Sequence, residues 1–585
     1  MVDDFVDDFK EVAMRPFRFL SLAVAFALML SAPAAGQEPH TQQIYWGDEV
    51  PAGWTGEWPD ELRTVAEKTD FRRTMTLADL HDFIDELRWR SEHVHVINVF
   101  RSPLGRMAPA VVLASPRVTS AREARESGKP VVYLQGNIHP PESEGAEAML
   151  MVMRDILFGD RGHLLDEQII IVMPIFNVDG TETLGHRATA PYVHGTRANA
   201  DGLDLNRDGV KVETAEVIGL YRTIFNPWDP ILIYDAHRMG RGNYAYANAY
   251  VNSTVPAAHP GPRGYVRYTL FPAVRDAVRR DFGLETFTHA LPDSDEWPPT
   301  VWHHDRGAWT VEAKFVANAY GLRNRMSILT ETPGAAGFER QVYAHYAYIL
   351  ALLEYTNTHG REMQEVVQAA DEETVARVLA GAESGELRNY LDGEYRSRGT
   401  IDLLAYRELR SEYVPGTSVR ATVPPDGPPE VVSGVEDVTL SVGTRDAWVP
   451  RGYLLPAWMG DVVTKLETHN IQVETLTEPL RAEGEQYLVS RMTKERRAGY
   501  LMTILEGGFQ GPVVREFPAG TFHVDMAQPM ANAAFYFLEP EARDGFVGWG
   551  VLDEALEKLG AHEHPVVYPI FKLRREAPEA REVMP

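Results

Sequence analysis

Four short, almost unbroken apolar runs constrain most strongly how this chain can fold. They are Lys129–Asn137 (KPVVYLQGN), Gln168–Phe176 (QIIIVMPIF), Pro230–Asp235 (PILIYD) and Met326–Thr330 (MSILT). Each has the length of a strand, and an apolar run without alternation reads as a strand covered on both faces. Between them lie longer stretches with helical periodicity. In Glu144–Leu157, for example, Met149, Leu150, Val152, Met153 and Ile156 share one face. Phe338–Tyr355 reads as a long, mostly apolar helix and Gln364–Ala380 as a second helix. Strands and helices alternating in this way predict an α/β fold with a mixed, mostly parallel sheet flanked by helices.

At 585 residues the chain exceeds what one core usually serves, so more than one domain is expected. Residues 14–36 read as a signal peptide: Arg15 and Arg18, then the apolar Phe19–Leu30, then small residues from Ala32 to Gly36. That apolar run is shorter than the roughly 20 residues of a membrane-spanning helix. Residues 1–13 are acidic, which does not suit a signal, so Met14 is the expected start, and the mature chain is expected in a periplasm or outside the cell. Residues 37–69 form an irregular N-terminal extension rich in Trp, Pro and Gly, and residues 70–360 form the expected catalytic domain. Residues 361–430 read as a helical segment and a Pro-rich linker, Ala421–Glu430 (ATVPPDGPPE). Residues 431–580 mix strand-like and helical runs, as in a smaller C-terminal α/β domain to which the sequence assigns no role.

The net charge of −27 argues against nucleic acid as a partner, since neutralising phosphates needs a basic surface. The absence of cysteine excludes disulfides, a cysteine nucleophile and thiolate ligands, so any metal must be held by His, Asp or Glu.

Each of the four apolar runs ends in reactive residues: GNIHPPESEG, NVDG, DAHRMG and ETPG. Ligands of open α/β sheets bind at the carboxyl ends of the strands, so four separate segments point to one crevice. His139-x-x-Glu142 can fold an imidazole and a carboxylate onto one metal, and His237, at an equivalent strand end, can supply a third ligand. The motif alone is weak. His359-x-x-Glu362 has the same spacing after a helix and is expected to be a solvated helix end. Glu331 follows an apolar run, where a carboxylate needs a partner or a task; taking a proton from water is one such task. Arg207, beside Asn206, can grip a carboxylate in bidentate fashion, and Arg197 can face a developing oxyanion, although a loop arginine taken alone is more often a solvated charge.

The segments GNIHPPESEGAEA, PIFNVDGTE, GLDLNRD, the DAH of the third strand and GLRNRMSILTET resemble, in that order, the signatures of the zinc metallocarboxypeptidases, the carboxypeptidase A-like or funnelin family. The resemblance covers roughly residues 70–360. It implies a mixed eight-stranded sheet and one zinc ion per chain on His139, Glu142 and His237. It further implies a substrate carboxylate on Asn206 and Arg207, and Glu331 as general base. For the oxyanion, Arg197 is preferred over Arg187. The chain departs from the family in Pro140-Pro141 after His139 and in Arg238-Met-Gly-Arg241 after His237; Arg238 can therefore enter the pocket and alter what fits. Tyr244, Tyr246 and Tyr320 are all candidates for the family's substrate-capping tyrosine.

The expected activity is hydrolysis of peptide bonds at a free C-terminus, without a covalent intermediate. Two alternatives stand beside it. One is a zinc-dependent amidase, esterase or cell-wall peptide hydrolase using the same residues. The other is a non-catalytic peptide-binding protein, which the full set of ligands and base disfavours.

Overall fold

The computed structural model describes residues 43–183, 195–239, 245–293, 296–304, 310–413, 420–423, 425, 427–497 and 499–577. The signal-peptide reading of residues 14–36, the Met14 start, Arg187, Arg241 and Tyr244 fall outside these residues.

Eight strands build one mixed sheet: β1 (Val94–Arg101), β2 (Met107–Leu113), β3 (Val131–Gln135), β4 (Ile169–Met173), β5 (Leu232–Met239), β6 (Asn248–Asn252), β7 (Thr286–Thr288) and β8 (Met326–Pro333). Their order across the sheet is β1-β2-β4-β3-β5-β8-β6-β7. The four apolar runs of the sequence are the four central strands, and β4, β3, β5 and β8 all run parallel. Their side chains are buried on both faces, which is why they carry no alternation. The flanking strands join antiparallel, β2 on β4 and β6 on β8, with β1 antiparallel to β2 and β7 parallel to β6. These edge strands are less legible. β1 is half exposed and carries a bulge between Asn98 and Phe100, β2 includes Pro109, and β7 has three residues.

Two central strands run further than their apolar cores. The parallel ladder between β5 and β8 continues as far as Met239 paired with Pro333, so His237 and Glu331 sit within strands and not in the loops beyond them. Helix α1 (Glu144–Phe158) lies against β5 at a point where no side chain fits. A Cβ on Gly145 would come within 2.3 Å of the Ala236 Cβ. The two helices expected after β8 are one, α2 (Phe338–Gly381), of 44 residues. Its first half is buried almost all round and its second half only on the Met363, Val367, Ala370, Thr374 and Val378 stripe. The change from apolar to amphipathic pattern reads in sequence as a break, yet no helix-breaking residue other than Gly360 separates the halves. His359 and Glu362 face solvent on this helix with Nδ1 and Oε2 3.4 Å apart, at the amino-end side of β3, where Gly360 packs on Pro130.

Beyond α2, Arg388–Arg396 pairs with Leu440–Trp448, and Thr400–Ala405 pairs with Glu430–Val438. The latter strand also runs parallel to Val301–His303 of the preceding domain. Strands thus bracket the Pro-rich stretch on both sides. The C-terminal region is α/β: β9 (Leu480–Arg497) and β10 (Tyr500–Phe517) form a long antiparallel hairpin, joined by Gly452–Leu455, Phe522–Asp525 and Phe571–Glu576, with helices Gly460–Thr468 and Ala531–Leu538 alongside. Among the described residues, no helix is long and apolar enough to cross a membrane.

The contact between α1 and β5 generates a prediction. Gly145→Ala forces the helix off the strand at an overpacking cost of about 1–3 kcal/mol. A lower Tm and weakened zinc binding are expected together, because α1 begins two residues after Glu142. Wild-type values of both would show that the close approach is not needed.

Candidate metal centre

Parallel pairing aligns the reactive residues. In the β5–β8 register Glu331 lies opposite His237, and in the β3–β5 register Gln135 lies opposite Asp235. Asp235 and His237, two residues apart, share one face of β5. The loop after β3 turns sharply: Asn137 has φ 55°, and the position of a Cβ on Gly136 lies 2.9 Å from the Pro174 carbonyl oxygen. The turn closes with Glu142 N donating to the His139 carbonyl at 2.8 Å.

His139, Glu142 and His237 meet in the crevice so formed. Glu142 Oε2 is 3.1 Å from His139 Nδ1 and 2.9 Å from His237 Nδ1. The ligand-capable atoms of the three all lie within 4.8 Å of one another, and all three residues are buried. Each imidazole turns its other nitrogen to a carboxylate. His139 Nε2 is 3.0 Å from Asp204 Oδ1, and His237 Nε2 is 3.0 Å from Asp235 Oδ2. Gln135 Nε2 donates to the other oxygen of Asp235 at 3.2 Å. With both Nε2–H groups given to carboxylates, both Nδ1 lone pairs and a Glu142 oxygen face one space. Two imidazole nitrogens and one carboxylate oxygen, backed by carboxylate–histidine pairs, are a donor set suited to catalytic zinc. The residues present therefore fit the metal.

The charges of these groups depend on one another. Burial opposes the charge of Glu142, but His139 and His237 outweigh it and hold the carboxyl well below its ordinary range. Burial likewise disfavours a charged His237, yet Asp235 and Glu142 raise it well above the usual imidazole value. Glu331 differs: burial pushes its carboxyl up to about 8, with His237 and Arg197 opposing and Glu142 and Asp235 reinforcing. Its Oε2 has no hydrogen-bond partner among the described residues. Glu144 Oε2 also lacks a hydrogen bond, but it lies 3.8 Å from the Arg238 guanidinium.

Around these lie the other residues singled out in the sequence. Asn206 Oδ1 accepts from Val316 N at 3.0 Å, and its Nδ2 lies 3.4 Å from His237 Nε2. The Arg207 guanidinium stacks on Phe315, 4.6 Å from the ring centre. Arg197 is half exposed and bridges Glu142 Oε1 at 3.2 Å and Asp204 Oδ2 at 2.9 Å. Arg238 donates to the Pro141 carbonyl and lies 3.8 Å from Glu144. Of the tyrosine candidates, Tyr246 OH accepts from Leu404 N, and Tyr320 OH donates to the Pro230 carbonyl, at the opposite end of β5 from His237.

Sequence reasoning assigned no role to Asp204, Phe315 or His345. Asp204 had a usable signal, two residues before Asn206 in LDLNRD. His345, on α2, donates from Nε2 to the His237 carbonyl at 3.1 Å; its Nδ1 accepts from Tyr234 OH at 2.8 Å, and that oxygen in turn accepts from Thr330 Oγ1. This chain fixes β5 from behind the sheet. Its members come from three distant segments, and nothing in the sequence links them.

Residues 80–227 match the family model for zinc carboxypeptidase. This span includes His139, Glu142, Arg197, Asn206 and Arg207. Carboxypeptidase 2 of Trichophyton equinum is 24% identical over 491 residues, covering 81% of this chain and 82% of its own. Carboxypeptidase 2 of Trichophyton tonsurans is 24% identical over 490 residues, with the same coverage of 81% and 82%. Among solved structures, a putative carboxypeptidase from Burkholderia mallei aligns at 19% identity, covering 48% of this chain and 68% of that one, with a TM-score of 0.36.

The carboxylate–histidine pairs lead to a measurable expectation. Asp204→Asn weakens zinc binding about 10- to 100-fold in competition with a chelator. His359→Ala leaves it unchanged, and equal behaviour of the two variants would contradict the assignment.

Proposed function

We propose that this chain, a zinc metallocarboxypeptidase-type hydrolase, removes residues from the C-termini of peptides after export from the cytoplasm. The observation that carries the reading is the register of β5 and β8: it sets the uncommitted carboxyl of Glu331 opposite His237 of the metal-binding group. Asn206 and Arg207, close to the same group, support a substrate that ends in a free carboxylate.

His139, Glu142 and His237 would hold the zinc ion. When bound there, zinc supplies Lewis acidity toward a carbonyl and activates water. The remaining work falls to the chain's own side chains. Arg207 grips the terminal carboxylate in a bidentate pair and Asn206 orients it, which fixes the scissile bond relative to the metal ligands. The ring of Phe315 beneath Arg207 fixes the orientation of the guanidinium. Glu331 accepts a proton from the attacking water at its free oxygen and passes it to the departing amine. Burial makes the ionised carboxylate of Glu331 a stronger proton acceptor. Arg197 donates to the oxygen on which negative charge develops. Arg238, between Pro141 and Glu144, borders the pocket and helps set what fits.

Two variants test the roles. Glu331→Gln keeps its zinc and loses turnover by at least about 100-fold, the scale of general acid–base assistance; substantial residual hydrolysis with zinc in place would remove Glu331 from the role of base. Arg207→Ala raises KM for a peptide with a free C-terminus but not for its C-terminal amide. If wild-type protein cleaves the amide as well as the acid, the amidase reading replaces this one.

A further inference from the structure

Asn206 and Arg207, which would hold the substrate's carboxylate, sit on the short turn Leu205–Arg207. One segment, Glu312–Val316, reaches this turn at three successive residues. Val316 N donates to Asn206 Oδ1 at 3.0 Å, the Phe315 ring lies 4.6 Å from the Arg207 guanidinium, and the Lys314 carbonyl accepts from Gly209 N at 2.9 Å. A displacement of the segment therefore moves the supports of Asn206 and Arg207 together.

The segment is itself anchored by residues more than two hundred positions further on. Asp544 Oδ2 accepts from Lys314 N, the amide just before Phe315. Arg543 pairs with Glu312 at 3.0 Å and with Asp392 at 3.2 Å, and Glu312 pairs in turn with Lys314 Nζ. Glu312, Lys314 and Asp544 are all buried, where an amide or a charge left without its partner is costly. The chain just after Arg207 is held from the same side. His469 Nε2 donates to the Val210 carbonyl and Lys465 Nζ to the Lys211 carbonyl, both at 2.8 Å. Val210 and Ala313 also share one apolar core with Phe535, Phe537 and Phe546. Both pieces of backbone that support the carboxylate-binding pair thus lean on the C-terminal region.

We propose that Asp544, with Arg543 beside it, is a positioning residue for the carboxylate-binding pair: it holds Lys314 in place and so sets the Phe315 ring against Arg207 and the Val316 amide on Asn206. This rests on the carboxypeptidase reading and gives the C-terminal region a part in substrate binding. A bidentate pair between a guanidinium and a carboxylate depends on alignment. With the support loosened, the substrate binds more weakly, while the metal ligands on β5 and the loop after β3 keep their places.

The test uses the full zinc-loaded chain and, from a set of blocked dipeptides with apolar, basic and acidic last residues, the one trimmed fastest. Asp544→Ala is expected to raise KM about tenfold with kcat and zinc content little changed, and Asp544→Asn, which keeps an oxygen for Lys314 N, to stay near wild type. In an Arg207→Ala background, Asp544→Ala is expected to lower kcat/KM no further, because both act through the same guanidinium. Phe517→Leu, in a separate small core of the C-terminal region, is expected to lower Tm without moving KM. Arg543→Gln carries the same comparisons, with a smaller rise in KM, if the alanine variant does not fold. An unchanged KM in the folded variants, losses that multiply in the Arg207→Ala background, or an equal rise in KM for Phe517→Leu overturns this inference alone. A wild type that trims none of the peptides overturns the carboxypeptidase reading, and this inference with it.

Discussion

The parallel pairing of β5 with β8 is the constraint on which the rest of the site depends. It extends past the apolar cores of both strands and brings His237 and Glu331 opposite each other. A slip of β8 by one residue would turn Glu331 to the opposite face of the sheet from His237. The register is secured where the strands are buried on both faces, and again by the His345–Tyr234–Thr330 chain behind them. Close packing of Gly145 on Ala236 then carries the His139–Glu142 loop to the same place. Backbone geometry, more than any single side chain, assembles the cluster.

Burying so many ionisable groups is costly unless each has a partner. Here every imidazole of the metal group has a carboxylate on its far nitrogen, and Glu142 receives both near nitrogens. Glu331 has an oxygen left over and its charge disfavoured; Glu144, the other carboxyl here with an oxygen lacking a hydrogen bond, faces Arg238. Unsatisfied buried groups in an otherwise paired network point to a working role. The contrast with His359 and Glu362 is instructive: the same spacing on an exposed helix face leaves the two side chains 3.4 Å apart in solvent, with Tyr355 stacked on His359.

The central strands were legible because a strand buried on both faces must be apolar throughout, and that pattern survives in one dimension. The site followed from them, since the carboxyl ends of parallel strands converge. His139, Glu142 and His237 could therefore be named from sequence, and they do meet. The edge strands were not legible, because half-exposed or bulged strands lose that signal. Helix α2 was read as two because its environment changes midway, not because its backbone does. Contacts across hundreds of residues left no local trace. Phe315 beneath Arg207 belongs to this class, and only the folded chain reveals it.

The central claim is that the strand ends form one metal-dependent peptidase site. The most direct measurement is release of amino acids from a mixed peptide library by the purified mature protein, with zinc content determined on the same sample, before and after a chelator. The account predicts about one zinc per chain and trimming from the C-terminus that stops with the chelator and returns with zinc. Stoichiometric zinc with no C-terminal release, or release that persists without metal, would contradict it.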